Sequence, residues 1–371
     1  MPSQLFTSLA LRKLQLANRI VVSPMCQYSA EEGNATDWHT IHLGTLAQSS
    51  AGLVLIEATT VSREGRIAPG CLGLWNDANE AALKRVVDAI RPYATSPIGI
   101  QLSHSGRKGS VTAPWLGGKG LPTAEGGWTP LAPSAIPYDA AANLPQAMSA
   151  ADIARVVNDF VAAAQRAERI GLEAIELHCA HGYLLHQFLS PLTNKRTDEY
   201  GGPLINRMRL PLTIFDAIRA IWPARKPLGV RVSATDWMEH AGEPSWTVEQ
   251  TIAFVHELKA RGVDWVDVSS GGLSPLQKIP LGPGYQLPFA ERVKRETGVT
   301  TIGIGLITEA SMAEAAIANG QADMVALARG FLWNPRWVWQ AAAELGAAVL
   351  PPPQYRRAPP PERAKVFAPL S

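Results

Sequence analysis

Eleven residues, "HCAHGYLLHQF" from His178 to Phe188, hold three histidines and a tyrosine. Imidazoles ligate metals, donate hydrogen bonds to developing oxyanions and move protons, and a nearby phenol can deliver one. A catalytic zinc wants three protein ligands and keeps a position open. His178 and His181 would supply two, but His186 lies five residues further on in what reads as a starting helix. The other strand ends offer no convergent Asp/His set, so no metal is expected and His186 alone reads as structural. The favoured reading makes His178 and His181 a pair of donors aimed at one carbonyl or nitro oxygen, where negative charge grows during conjugate addition. Tyr183 is then the nearby acid.

Something must hold these groups in place. Runs rich in apolar and β-branched residues recur: "RIVVSP" from Arg19, "GLVLIEA" from Gly52, "PIGIQLS" from Pro97 and "EAIELH" from Glu173. "LGVRVS" from Leu228, "DWVDVSS" from Asp264, "TTIGIG" from Thr300 and "DMVALA" from Asp323 follow, making eight. Near-continuous apolar runs are how strands read when both faces are buried, as in a parallel sheet. Helical patterns alternate with them. One opens at Asp77, a good N-cap type; another runs from Ser149 to Gly171, a residue suited to a left-handed helix end. The expected fold is α/β, a (β/α)8 TIM barrel. An open doubly wound sheet fits less well, because "GIGLIT" at Gly303 lacks the third glycine of a dinucleotide fingerprint. Residues 106–148, rich in Gly, Pro and Trp, follow the third strand and are expected to cap the barrel mouth. The expected division is one domain over residues 1–357 and a Pro-rich tail, 358–371, extended or mobile at its end.

Barrel chemistry gathers at the C-terminal strand ends. There stand Pro24-Met25-Cys26 with Tyr28 beyond, Glu57-Ala58, Gln101, His178 with His181 and Tyr183, Arg231, Ser269 to Gly272, Gly303-Ile304-Gly305, and Ala328-Arg329-Gly330. Gln, Arg and His donors on one rim suit a planar, polar-edged ligand. The last two ends suit a phosphate, since glycines admit close backbone approach and Arg329 adds charge. Glycines alone would also suit tight turns; Arg329 beside them favours the phosphate.

Composition narrows the partners. A net charge of +2 gives no reason to expect nucleic acid or an anionic membrane surface. No apolar run reaches the roughly 20 residues that span a bilayer. The first residues, "MPSQLFTSLALRKLQL", lack a continuous apolar stretch ending in a cleavage site. Cys26, Cys71 and Cys179 are too few for a disulfide framework. A soluble cytoplasmic protein is expected.

The sequence resembles the old yellow enzyme family of flavin-dependent ene-reductases, in its shorter bacterial subclass. The likeness covers nearly all of residues 3–357. It rests on "ANRIVVSPMCQYSA", "GLVLIEATTVSREGR", "IQLSHSGRK", "ELHCAHGYLLHQFLSPLTNKRTDEYGG" with "NRMR", "VRVSATDW" and "LARGFLWNP". The resemblance implies non-covalent FMN at the barrel mouth, NAD(P)H as reductant, with NADPH preferred, and small activated alkenes as substrates. It implies that Ser23, Pro24, Met25, Cys26 and Ala58 border the isoalloxazine, with His178 also beside the flavin. Gln101 would bond the pyrimidine edge and Arg231 would sit near the N1/C2 side. Gly303, Gly305, Ala328 and Arg329 would hold the phosphate. His178 and His181 would bind the substrate oxygen, Tyr183 would protonate the α-carbon, Tyr28 would touch substrate and Cys26 would tune the flavin. The subclass further implies a homodimer or homotetramer in which Arg357 reaches a neighbouring subunit's site. Ile304 stands where some relatives carry tryptophan, so substrate range does not transfer from them.

Overall fold

The eight apolar runs form eight parallel strands that close on themselves in chain order. A computed structural model describes residues 2–368. The strands are β1 (Ile20–Val22), β2 (Leu53–Thr60), β3 (Ile98–Ser103), β4 (Ala174–Cys179), β5 (Leu228–Ser233), β6 (Trp265–Ser269), β7 (Thr301–Gly303) and β8 (Met324–Leu327). Around them run α1 (Asp37–Ala47), α2 (Asp77–Ile90), α3 (Ala150–Ile170), α4 (Leu184–Leu189), α5 (Leu204–Ile221), α6 (Val248–Ala260), α7 (Leu287–Thr297), α8 (Ala310–Ala318), α9 (Arg329–Trp333) and α10 (Trp337–Glu344). The TIM barrel expected from the strand pattern is therefore the fold.

The strands look uniformly apolar in sequence because both faces are covered, but the two faces do different work. Ile20, Val22 and Val54 pack outward among helices, whereas Val21, Leu53 and Leu55 join Leu11, Leu16, Trp265, Ile302 and Met324 in a separate cluster at the barrel bottom. A hairpin, Leu9–Leu11 paired with Leu14–Leu16, closes that end. Higher up, the ladder places Gln101 beside Glu176, His178 beside Arg231 and Arg231 beside Asp267.

Three boundaries differ from expectation. Asn76 rather than Asp77 caps α2, its side chain accepting Asn79 N–H at 2.8 Å; Asp77 is the first helical residue, where an acid still favours the dipole. Ser149 and Gly171 bound α3 as read, Gly171 at φ +87°. Strand β2 does not end at Glu57-Ala58 but runs on to Thr60, its register with β3 shifting between Ile56 and Ala58. A bulge there turns Glu57 out of the ladder, where its carboxylate accepts Gln27 N–H at 3.0 Å and lies 3.4 Å from His39 Nε2. The third is the tail. Residues 361–366 form a 3-10 helix, Val349 N–H donates to Val366 C=O, and Phe367 meets Trp339 edge to face at 5.0 Å. Its prolines fix φ without preventing docking, and apolar Val366 and Phe367 supply the contact; residues 369–371 lie outside those described.

Residues 106–148 are a folded excursion of short 3-10 turns and one small strand pair. They reach the rim: Arg107 Nη2 donates to Leu273 C=O at 2.7 Å, and the Trp115 ring lies 5.9 Å from that of Tyr28.

Candidate active site

The site rises from a buried ionic layer. Arg231 on β5 donates through Nε to Asp267 Oδ2 at 2.9 Å, with Nη2 also bonded to Asp267, and Nη2 reaches Ser23 Oγ at 2.9 Å. Its Nε lies 3.4 Å from Glu176 Oε1. Burial opposes the guanidinium's charge, but the two carboxylates outweigh it and raise its pKa. Burial pushes the Glu176 carboxyl up to about 7 while Arg231 pulls it down. Glu176 also accepts from Gln101 Nε2 at 2.8 Å and from Trp265 Nε1 at 3.1 Å. The indole fits because residue 229 on the neighbouring strand is glycine; a Cβ there would stand 1.9 Å from the Trp265 ring.

Above this layer stand the three groups singled out at the start. The His178 ring meets that of His181 at 5.1 Å and that of Tyr183 at 5.1 Å, both edge to face. His178 Nδ1 accepts Ala180 N–H at 3.3 Å, which puts the ring proton on Nε2. Burial first, then neighbouring His181 and Arg231, hold the His178 pKa well below its usual value. His181 is lowered likewise, by burial and then by Arg231 and Lys108. Both rings are thus neutral near pH 7. His181 Nε2 sits 2.7 Å from Ser269 Oγ. Gln286 Oε1 in turn receives Ser270 Oγ at 2.7 Å and Ser269 Oγ at 3.2 Å. Burial pushes the Tyr183 phenol well above its usual range, so it stays protonated.

These residues leave β4 through a demanding turn. His181 has φ +59° and Gly182 φ +72°, and a Cβ on Gly182 would lie 2.2 Å from Gly272 C=O. Glycine is therefore required there. The turn is pinned by His181 N–H to Ser233 Oγ at 2.9 Å and by Gly182 N–H to His186 Nδ1 at 2.9 Å. His186 is fully buried, its Nε2 2.9 Å from Asp236 Oδ1, close enough to pair though off the ideal hydrogen-bond angle. Asp236 Oδ2 accepts Ser190 Oγ and Trp246 N–H. His186 has the structural place expected of it.

Lys108 was not singled out by sequence. Its Nζ donates to His181 C=O at 3.0 Å and Gly272 C=O at 2.9 Å and lies 5.2 Å from the Tyr183 ring centroid. No carboxylate pairs with it among the described residues, and burial pushes it down to about 8. It stood inside the quoted "IQLSHSGRK", but a lysine in sequence carries no sign of burial.

Cys26 is partly exposed and Tyr28 takes φ +50°. Burial, then Glu57 and Cys71, push the Cys26 thiol well up, so it is a neutral thiol rather than a thiolate. At the far end of the rim, a cavity of about 160 Å³ is lined by Ser23, Gly305, Ala328, Arg329 and Gly330, with Ile304 and Gln286. Gly303 ends β7 just below. Ser23 both lines this cavity and bonds Arg231, so the anion-suited end and the ionic layer are continuous. That continuity, with Gln101, Arg231 and Arg329 as donors, fits a flat polar-edged ring carrying a phosphate tail. Pro24 and Met25 follow Ser23 beyond the end of β1, and Ala58 lies buried within β2, just past its bulge. Arg357 is exposed and follows the turn Pro353–Tyr355, whose Tyr355 ring lies 5.8 Å from Trp339.

The sequence profile of the NADH:flavin oxidoreductase / NADH oxidase family matches residues 4–347. The chain is 46% identical over 361 residues to the NADH:flavin oxidoreductase of Gibberella zeae, covering 94% of this chain and 87% of that protein. It is 41% identical to the NADPH dehydrogenase of a Geobacillus species, covering 96% and 99%. Among solved structures, morphinone reductase superposes with a TM-score of 0.76 at 29% identity, covering 95% and 93%. The chain belongs to the old yellow enzyme family and is an NAD(P)H-dependent flavin oxidoreductase with FMN as its cofactor.

Proposed function

We propose that the protein is an ene-reductase, acting on small alkenes activated by a carbonyl or nitro group. The observation that carries this is the meeting of His178, His181 and Tyr183 beside a buried arginine, with ring centroids 5.1 Å apart. Bound FMN would supply the hydride chemistry that links NAD(P)H to the β-carbon of the alkene. Ser23 to Cys26 and Ala58 would border its ring, Gln101 and Arg231 its pyrimidine edge, and Gly303, Gly305, Ala328 and Arg329 its phosphate.

The chain's own groups do the rest. His178 and His181, neutral and protonated on one nitrogen each, donate to the substrate oxygen and stabilise charge that grows there. Tyr183, held protonated by burial, gives its proton to the α-carbon. The Lys108 cation near its ring eases the phenol's loss of that proton. Tyr28 contacts substrate, and Cys26, as a neutral thiol, tunes the flavin. NADPH is the preferred reductant, a reading supported by relatives named NADPH dehydrogenase. Arg357 would serve a neighbouring subunit in a dimer or tetramer; its exposure leaves it available for that contact.

Tyr183→Phe tests the central role. Alkene reduction is expected to slow by about 10²–10⁴-fold, while anaerobic bleaching of the flavin by NADPH stays near wild type. Equal slowing of both half-reactions would remove Tyr183 from the acid role. Activity that survives truncation at residue 350, in a monomer, would remove Arg357.

A further inference from the structure

Glu176 sits where the rim's polar donors meet. It is fully buried in the barrel interior, and donors reach it from three strands: Gln101 Nε2 at 2.8 Å, Trp265 Nε1 at 3.1 Å and Arg231 Nε at 3.4 Å. An ionised carboxylate only accepts. The Gln101 amide must therefore turn its NH2 toward Glu176, which directs its carbonyl oxygen elsewhere. Gln101 Oε1 accepts no hydrogen bond among the described residues. An amide can present either end with nearly the same shape, so something other than packing has to choose. Gln101 is the group proposed to meet the pyrimidine edge of FMN, and the imide N–H of that edge is a donor in need of an acceptor.

We propose that Glu176 is a positioning residue that fixes the amide orientation of Gln101, so that the site offers an acceptor to the imide N–H of FMN. Glu176 touches no ligand itself. It acts through Gln101, and it also lies 3.4 Å from Arg231 Nε, whose hydrogen bonds go to Asp267 while Nη2 reaches Ser23. The idea rests on FMN as cofactor and on Gln101 lying at its ring edge. Replacing the carboxylate by an amide brings an NH2 group among three donors. The relaxed arrangement flips Gln101, which then shows NH2 where the acceptor stood.

The test compares FMN with 3-methyl-FMN, in which the imide proton is replaced. Both are titrated into apoprotein, with binding read from flavin fluorescence at about pH 8.5, above the pKa to which burial raises Glu176. Wild type is expected to prefer FMN by about tenfold or more, the effect of one buried acceptor left unpaired. Glu176→Gln is expected to bring that ratio to within about threefold of unity. The exchange pair Glu176→Gln with Gln101→Glu returns an acceptor to the rim and is expected to restore the preference. A role in the core alone would weaken both flavins by the same factor and leave the ratio unmoved, which overturns the proposal. So does a wild-type protein that binds both equally, or the failure of both variants to melt cooperatively. Apoprotein that takes up no FMN at all would instead break the underlying cofactor assignment.

Discussion

The two ends of the barrel interior are built from the same strands by opposite rules. At the bottom, Leu16, Val21, Leu53, Ala174, Trp265, Ile302 and Met324 fill the space with carbon. Two residues further along β4 the inward position is Glu176, and two further it is His178. Along β6 the series runs Trp265, Asp267, Ser269. Apolar packing is non-directional, so the bottom needs only the right volume. The top holds buried groups that each need a particular partner, because an unpaired charge or donor there costs several kcal/mol. Substitutions at the two ends should therefore fail differently, the first in stability alone and the second in stability and chemistry together.

The sharpest contrast comes from Asp236. Asp236→Ala leaves His186, Ser190 and Trp246 N–H facing a fully buried gap. We expect a loss of about 3–5 kcal/mol in urea unfolding, with alkene reduction lost as the His181-Gly182 turn loosens. A variant that kept its turnover would show that the pair does not hold the turn. Leu16→Ala at the opposite end should cost about 3 kcal/mol and leave kcat and KM where they were; a shifted KM would blur the division between the ends. Lys108→Met sharpens the comparison by pH. Burial holds the folded-state pKa near 8, below the ordinary lysine value of 10.5. The charged form is thus penalised in full below about pH 8, and the penalty fades as pH rises toward the unfolded value. Relative to Lys108→Met, wild type should gain stability between those two values. A phenolate ligand that stays ionised should bind wild type more weakly as pH rises through about 8, and Lys108→Met should show no such slope. The smallest effect belongs outside both ends. Glu32 and Arg63 pair at 2.8 Å with side chains 66% exposed on each partner. Glu32→Ala should change stability by less than about 1 kcal/mol.

Much of this was legible in one dimension. Strands covered on both faces must be apolar throughout, so eight such runs alternating with helical patterns already specify a closed parallel barrel. The strand ends then follow, and with them His178, His181, Tyr183, Arg231 and Arg329 on one rim. Ser149 and Gly171 bound α3 because capping depends on local backbone geometry alone. The bulge at Glu57 escaped notice, since an extra residue in a strand leaves no mark on an apolar run. The end of the tail was read as extended or mobile from its prolines, which describe backbone stiffness and say nothing of the Trp339 surface that receives Phe367.

By itself, then, the sequence determined the strand and helix periods and the rim chemistry, because each depends on neighbours along the chain. Only the tertiary structure decided which buried groups became partners. Gln101 meets Glu176, Lys108 meets the His181 carbonyl, and Asp236 meets His186 across 50 to 75 residues of chain. Those pairings depend on strand register and on space left by a missing side chain at Gly229. Neither is written in any local stretch of the chain.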